Sequence, residues 1–134
     1  MELKDKIVVI TGAGSGIGRA LAVRFYAEGA KQIIVVDINL RNAQDTADMV
    51  NGVAMMANVA KEDDISRVIE ETEANVGAID LFCSNAGVAI GESIDSPNSE
   101  WQASWDINVM SHVYAARHLV PRMVARGGGY FLNT

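Results

Sequence analysis

The amino-acid sequence predicts an α/β fold in which helices cover both faces of a parallel sheet. Short β-branched apolar runs alternate with longer segments whose apolar residues recur at helical spacing, and glycines or polar turns separate them. Because strand–helix–strand units join parallel strands by right-handed crossovers, this alternation predicts a doubly wound sheet of five strands. Neither an internal repeat nor an interdomain linker is visible, so residues 1–134 are expected to form a single domain.

The first predicted strand leads into a glycine-rich turn and then a helix. Residues 7–10 are short, β-branched and uninterrupted, as in a strand buried on both faces of a parallel sheet. The glycines at positions 12, 14, 16 and 18 allow a sharp turn and leave no Cβ between the backbone and a ligand. A helical apolar pattern then begins with Ile17, Leu21 and Phe25. The N-terminus of such a helix directs free N–H groups and a positive dipole end to one point, which favours a phosphate.

The later elements continue the alternation. The predicted strands are 32–37, 52–57, 79–84 and 130–133, the predicted helices are 39–50, 62–76 and 99–124, and 88–95 is a predicted loop. In the last helix, Ser99 and Gln102 have the form of a capping box, and Pro121 predicts a kink or an early end. The packing stripe of that helix is expected to contain Trp101, Trp105, Val109, Val113, Ala116 and Val120.

Composition and charge exclude several classes of function. A net charge of −6 and a pI near 4.8 argue against nucleic acid or an anionic membrane as the main partner. The single cysteine, Cys83, excludes an internal disulfide and a cysteine-based zinc site, and its place within a strand predicts a packing role. The N-terminus lacks a signal-peptide core and no apolar run is long enough to cross a membrane, so a reducing, cytoplasmic location is expected.

No metal site is expected from the remaining candidate ligands. His112 and His118 lack further ligands nearby in the sequence and are expected on the helix surface. The acidic run Glu62, Asp63 and Asp64 stands at a predicted helix N-terminus, where it complements the helix dipole.

The spacing of the glycines shows which of the known phosphate-binding motifs this sequence can contain. G-x-G-x-x-G fails because Ile17 or Arg19 occupies the last position, and the P-loop fails because no Lys-Ser or Lys-Thr pair follows. The pattern T-G-x-x-x-G-x-G fits, with its fixed positions at Thr11, Gly12, Gly16 and Gly18. It resembles the cofactor loop of short-chain dehydrogenases/reductases. The alternative is a glycine turn that only allows a helix to pack closely on a strand.

Three further stretches resemble the same family in order along the chain. The run 84–87, Ser-Asn-Ala-Gly, resembles the Asn-Asn-Ala-Gly turn after the fourth strand, with Ser84 in place of the first Asn. Asn58 and Val59 resemble the Asp-Val pair that meets the adenine ring, and Asn58 keeps a carbonyl acceptor for the adenine amino group. The run 106–109, Asp-Ile-Asn-Val, resembles the helical segment that carries a catalytic Asn, here Asn108.

The resemblance implies a Rossmann-like domain that binds NAD. Asp37 ends the second strand 19 residues after Gly18, close to the spacing expected of the acid that binds the adenosine ribose. A carboxylate there accepts both ribose hydroxyls and repels a 2′-phosphate, which favours NAD over NADP. The implied cofactor-binding residues are Gly12, Ser15, Gly16, Ile17, Gly18, Asp37, Asn58, Val59, Asn85, Ala86 and Gly87. The implied catalytic residue is Asn108, which in the family fixes a water in a proton relay.

The resemblance covers only the front half of a family member. The family places a catalytic Ser after the fifth strand and a Tyr-x-x-x-Lys pair on the next helix. Here the positions four residues after Tyr26, Tyr114 and Tyr130 hold Ala, His and Thr. We therefore expect a fragment, truncated after the fifth strand, with no appreciable dehydrogenase activity because no group delivers the proton.

Three interpretations of function remain open. The first is the cofactor part of an NAD-dependent oxidoreductase acting on an alcohol or carbonyl substrate, and the second is a non-catalytic dinucleotide-binding or interaction module. The third, a nucleoside-binding methyltransferase, is disfavoured by the glycine spacing. A homo-oligomer through the helix 99–124 is expected, because the family packs this helix between subunits and the flank with Met110, Tyr114 and Leu119 would lie open.

Overall fold

The computed structural model describes residues 1–91 and 93–134, so Glu92, within the predicted loop 88–95, lies outside the described residues. The strands are β1 (Ile7–Thr11), β2 (Gln32–Asp37), β3 (Val53–Met56), β4 (Leu81–Ser84) and β5 (Tyr130–Asn133). The helices are α1 (Gly16–Ala27), α2 (Leu40–Met49), α3 (Glu62–Asn75), α4 (Asn98–Trp105) and α5 (Ser111–Ala125), with a π-helical turn over Asp106–Met110.

The strands form one parallel sheet in the order β3-β2-β1-β4-β5, which confirms the predicted doubly wound, Rossmann-like α/β fold. Ile10 of β1 is in register with Val35 of β2 on one side and with Cys83 of β4 on the other. The chain moves outward from β1 to β3 and then crosses back to β4, so the direction of the strand order reverses beside β1. In open α/β sheets, ligands bind outside the carboxyl ends of the strands at such a point.

Two apolar clusters cover the faces of the sheet. Val9, Ile34 and Phe82 face α3 and α5, while Val8, Ile10 and Ile33 face α1 and α2, as alternation along buried parallel strands requires. Cys83 belongs to the second cluster, as predicted, and burial raises the pKa of its thiol to about 12. Its thiolate is therefore disfavoured at neutral pH.

The apolar face of α1 differs from the prediction. Gly18 and Ala22 are buried, Leu21 and Phe25 are half-buried, and Ile17 is 69% exposed. The small residues face the sheet because α1 packs closely on β1 and β2. Ile17 lies instead at the carboxyl edge of the sheet. On α3, Ile65, Val68, Ile69 and Thr72 are buried.

The predicted single helix 99–124 is interrupted by the π turn. Asn108 lies at its centre, and the Ser111 hydroxyl donates to the carbonyl oxygen of Ile107 at 2.6 Å. The capping-box prediction is wrong, because Pro97 is the N-cap and Ser99 lies inside α4. An early end at Pro121 is also wrong, since α5 continues to Ala125.

The predicted packing stripe of this helix is mostly exposed. Trp101 and Trp105 are each 55% exposed, and Val113 and Val120 are also exposed. Ser111, Ala115, Leu119 and Met123 are buried instead, so Leu119 does not belong to an open flank. Both flanks of this helix are apolar, and packing against α3 and β4 buries the flank of α5 that contains Ala115, Leu119 and Met123.

Ion pairs join α3 to α5. Arg117 donates to both oxygens of Glu62 at 2.7 Å, and His118 Nε2 lies 3.0 Å from Glu62 Oε1. The hydrogen bond from Arg117 is the main reason that the pKa of Glu62 lies below its usual value. His118, expected on the helix surface, is partly buried and paired with Glu62, and His112 is half-buried with a buried Nδ1 that has no hydrogen-bond partner among the described residues.

A second group of ion pairs lies further along the same two helices. Glu73 accepts from Arg122 at 3.3 Å and also from Arg126. Burial raises the pKa of the Glu73 carboxyl, but the hydrogen bonds from Arg126, the Ile79 backbone N–H and Arg122 outweigh it, so the pKa is lowered overall. The ionised form of Glu73 therefore contributes to the attachment of α5 to α3.

Within residues 1–91 and 93–134, none of the helices combines the length and the apolar character that crossing a membrane requires. Over the same ranges, no group of three or more His, Cys, Asp or Glu side chains is arranged to hold a metal ion.

Candidate functional site

The glycine-rich turn between β1 and α1 is held tightly against its neighbours. The Ala13 backbone N–H donates to the Val36 carbonyl at 3.0 Å, which ties the turn to the end of β2. A Cβ at Gly18 would lie 2.3 Å from the Gly12 carbonyl oxygen, and one at Gly12 would lie 2.8 Å from Ala86 Cα. Gly16 has φ +51°, and a Cβ placed on it would meet no atom within 4 Å, so its surface opens to solvent. The turn therefore requires glycines where it packs against the loop after β4, and it leaves open space on its solvent side at Gly16.

Thr11 connects this turn to the loop after β4. Its buried hydroxyl accepts hydrogen bonds from the backbone N–H groups of Asn85, at 3.0 Å, and Ala86, at 3.1 Å, and donates to the Cys83 carbonyl at 3.3 Å. The Asn85 side-chain amide donates to the Thr11 carbonyl at 3.0 Å. The turn that resembles Asn-Asn-Ala-Gly is therefore fixed relative to β1 by three hydrogen bonds, and the fourth joins Thr11 to the end of β4.

Asp37 lies at the carboxyl end of β2, beside the glycine turn. Its Oδ2 accepts from the Gly14 backbone N–H at 2.9 Å, and its Oδ1 accepts from the Asn39 backbone N–H at 2.9 Å. Backbone donors hold a carboxylate in one orientation because they cannot rotate away as side chains do. The remaining lone pairs of both oxygens are available to a ligand that presents two hydroxyl groups.

Asn58 and Val59 follow β3 and form the next part of the same edge. The Asn58 side-chain oxygen accepts from the Ala60 backbone N–H at 3.0 Å, and Asp64 Oδ2 accepts from the Asn58 backbone N–H at 2.7 Å. The loop is thus fixed to the first turn of α3. A carbonyl oxygen has two lone pairs, so the bond to Ala60 leaves room for a second donor.

Asn108 is held by the loop after β4. Its Oδ1 accepts from the Val88 backbone N–H at 2.8 Å, and its Nδ2 donates to the Val88 carbonyl at 2.8 Å. The side chain therefore acts as a bracket between the π turn and the loop. π turns are rare and are frequent at functional sites, and this one places the backbone of residues 106–110 close to the loop.

A cleft of about 530 Å³ runs along this edge of the sheet. All eleven residues predicted to bind the cofactor line it, and Asn108 does not, although its neighbour Ile107 does. The sequence prediction missed Ile38, Ala57, Val88, Ile107 and Thr134, which also line the cleft. Ile38 and Thr134 directly follow a predicted strand and Ala57 ends one, so including the residues at each carboxyl end would have found these three, whereas Val88 and Ile107 follow no such signal.

The electrostatics of the cleft suit an anion beside α1. Ser15 is the N-cap of α1 and makes no side-chain capping bond, and the first turn of α1 has no acidic residue. By contrast, Asn39 caps α2 and the first turn of α3 has three acidic residues. The first N–H groups of α1 are therefore left for a ligand in the cleft. A dinucleotide fits these groups, with a phosphate at α1 and a ribose diol at Asp37.

Comparison with known proteins identifies the family. The chain matches the family described as "short chain dehydrogenase" over residues 6–134. It is 34% identical over 141 residues to a cyclohexanol dehydrogenase of Acinetobacter sp. (strain SE19), covering 99% of this chain and 55% of that protein. It is 32% identical over 136 residues to an NAD-dependent glycerol dehydrogenase of Listeria innocua, covering 98% of this chain and 53% of that protein.

Solved structures agree with the sequence relatives. A 7α-hydroxysteroid dehydrogenase in complex with NADH and 7-oxo glycochenodeoxycholic acid is similar with a TM-score of 0.93 and 28% identity, covering 98% of this chain and 53% of that one. The chain thus spans about half the length of the curated relatives it matches. With the glycine turn, the cleft and the family match taken together, the chain belongs to the short-chain dehydrogenase family of oxidoreductases.

Proposed function

We propose that this chain is the cofactor-binding part of an NAD-dependent oxidoreductase that transfers hydride between nicotinamide and an alcohol or carbonyl substrate. The observation that carries the proposal is the position of Asp37, whose carboxylate lies in the cleft beside the uncapped start of α1. A group that accepts hydrogen bonds from a diol and a group that binds a phosphate, on one edge, match the ribose and the diphosphate of an adenosine diphosphate. The names of two relatives, one NAD-dependent and one solved with NADH, support the same cofactor.

Each part of the cleft has a role in this proposal. The N–H groups at the start of α1 would bind the pyrophosphate, and the Asp37 carboxylate would accept hydrogen bonds from both adenosine ribose hydroxyls. Asn58 and Val59 would hold the adenine, and the nicotinamide end would be held by Ile17, Asn85, Ala86 and Gly87. The bound nicotinamide supplies or accepts the hydride.

Asn108 is proposed to act through position rather than by direct proton transfer. Both polar ends of its side chain are occupied by Val88, so the side chain holds the loop after β4 against the π turn. In the proposed enzyme this arrangement holds the water of the proton relay, with groups outside these 134 residues acting as acid and base. No Tyr-x-x-x-Lys occurs in the chain, so we expect the chain alone to bind cofactor without turnover.

One observation favours a second function. We keep a non-catalytic dinucleotide-binding or interaction module as the second candidate, because no Tyr-x-x-x-Lys lies within residues 1–134. Residues that follow position 134 in the encoding gene separate the two functions. A Ser soon after that position and a Tyr-x-x-x-Lys about 10–20 residues further on would support the enzyme.

Titration of NADH fluorescence against the chain tests the proposal. We expect NADH to bind and NADPH to bind at least about tenfold more weakly, because the Asp37 carboxylate repels a 2′-phosphate. Asp37→Ala is expected to weaken the binding of NADH by about tenfold or more and to reduce the ratio between the affinities for NADH and NADPH. Asp45→Ala, on the exposed side of α2, is the matched control and should leave both affinities unchanged.

Two results would overturn the proposal. Absence of NADH binding to the wild-type chain would remove the cofactor assignment. Equal weakening of NADH and NADPH by Asp37→Ala would show that this carboxylate does not bind the ribose.

A further inference from the structure

Arg19, in the first turn of α1, contacts two elements that no cofactor-binding motif connects. One guanidinium nitrogen, Nη2, donates to the Gly14 carbonyl oxygen, and Nε donates to the Thr46 hydroxyl at 2.9 Å. Thr46 lies on α2 and is fully buried. The side chain therefore crosses from α1 over the glycine turn to α2, and its fork of donors is used on two different partners.

The backbone of Gly14 lies between Arg19 and Asp37. Its N–H donates to Asp37 Oδ2 at 2.9 Å, and its carbonyl accepts from Arg19. A Cβ at Gly14 would lie 2.7 Å from the same carboxylate oxygen and 2.7 Å from Asn42 Cβ, so this peptide packs directly against the Asp37 side chain and α2. The N–H and the carbonyl belong to the two peptide groups that meet at the Gly14 Cα, so a charge-assisted hydrogen bond holds the backbone on each side of this residue.

We propose that Arg19 is a positioning residue that orients the Asp37 carboxylate through the backbone of Gly14 and so sets the preference for an unphosphorylated adenosine ribose. This inference rests on the proposed function and assigns it a further residue. Without Arg19 the Gly14 carbonyl loses its partner, and the backbone at the Gly14 Cα is less constrained. The Gly14 N–H, on the adjoining peptide group, is then held less firmly against Asp37, whose other backbone donor is the Asn39 N–H.

The loss of orientation affects the two cofactors differently. A carboxylate that is no longer fixed accepts the two ribose hydroxyls less well, so NADH binding weakens. The same freedom allows the carboxylate to turn away from a 2′-phosphate, so NADPH binding changes little. A merely structural loss in the glycine turn would weaken both, since both cofactors use the same pyrophosphate groups.

The experiment measures dissociation constants of NADH and NADPH for wild type, Arg19→Met, Arg19→Lys and Thr46→Val. We expect Arg19→Met to raise the NADH constant by about tenfold and the NADPH constant by less than about threefold. Arg19→Lys keeps the charge and reaches one partner at a time, so its selectivity should lie between wild type and Arg19→Met. Thr46→Val removes only the distal partner and should keep the selectivity of wild type within about twofold.

Amide hydrogen exchange gives a second readout that needs no cofactor. The Gly14 and Asn39 backbone N–H groups both donate to Asp37 in wild type. Arg19→Met should speed exchange at Gly14 by about tenfold, while amides in the centre of β1 keep their protection.

The outcomes separate this inference from the proposed function. If the dissociation constants of NADH and NADPH change by the same factor in both Arg19 variants, the positioning role is overturned while cofactor binding stands. If Arg19→Met does not fold, Arg19→Lys decides, and an unchanged selectivity in it overturns the role. A wild-type chain that binds neither cofactor overturns both the role and the proposed function.

Discussion

Replacing Thr11 by Val should test how firmly the loop after β4 is attached to the glycine turn. Val has nearly the shape of Thr but lacks the hydroxyl, so the change removes three hydrogen bonds and little packing. The backbone N–H groups of Asn85 and Ala86 lose their acceptor, and each unsatisfied buried donor costs about 1–3 kcal/mol. Because both residues are only half-buried, water can replace part of the loss, and the lower end of that range applies.

The expected loss for Thr11→Val is about 2–3 kcal/mol in the free energy of unfolding. Thr11→Ser keeps the hydroxyl and loses one buried methyl group, at a cost of about 1 kcal/mol. Urea unfolding followed by circular dichroism distinguishes the two. With an m-value of about 2 kcal/mol/M, the midpoint of Thr11→Val should lie about 0.5–1 M below that of Thr11→Ser. A Val variant as stable as the Ser variant would refute the assignment of these hydrogen bonds.

Two further predictions concern the surfaces of α3 and α5. Because the folded pKa of Glu73 is lowered, its ionised form stabilises the chain above its unfolded pKa of about 4.3, and the effect is lost as pH falls through the folded value. Thermal unfolding should therefore show the whole difference in unfolding free energy between wild type and Glu73→Gln at about pH 6, and this difference should shrink as the pH falls below about 4. A difference that does not change with pH would contradict this. Val120→Glu, on the exposed face of α5, should reduce self-association in sedimentation velocity, whereas Val23→Glu on α1, of similar exposure, should not. A wild-type chain that sediments as a monomer would contradict the expected oligomer.

The parts of the site that depend on local spacing could be predicted from the sequence. The glycine turn follows from strand, glycines and helix in one stretch, and Asp37 follows from the position where β2 ends. Parallel topology then brings carboxyl strand ends to one edge, which is why Asn58 and Asn85 also reach the cleft.

The parts that depend on contacts between distant segments could not be predicted. The π turn is associated with the hydrogen bonds between Asn108 and Val88, which lie twenty positions apart in the sequence. The spacing of apolar residues does not predict such a contact. The same applies to Arg19, whose partner Thr46 lies on another helix. The packing stripe predicted for α4 and α5 is wrong for a related reason. Both flanks of this helix are apolar, and only the tertiary packing decides which of them is buried.

The π turn over Asp106–Met110 also limits how this chain can change in length. Deleting one residue there would turn the segment into ordinary α-helix and rotate everything before it by about 100° relative to α5. The amide of Asn108 would then point away from Val88, and the tryptophans of α4 would swing toward a different neighbour. A single-codon deletion at this point would therefore detach the loop that borders the cleft, whereas deletions in the turn at residues 127–129 leave that bracket intact.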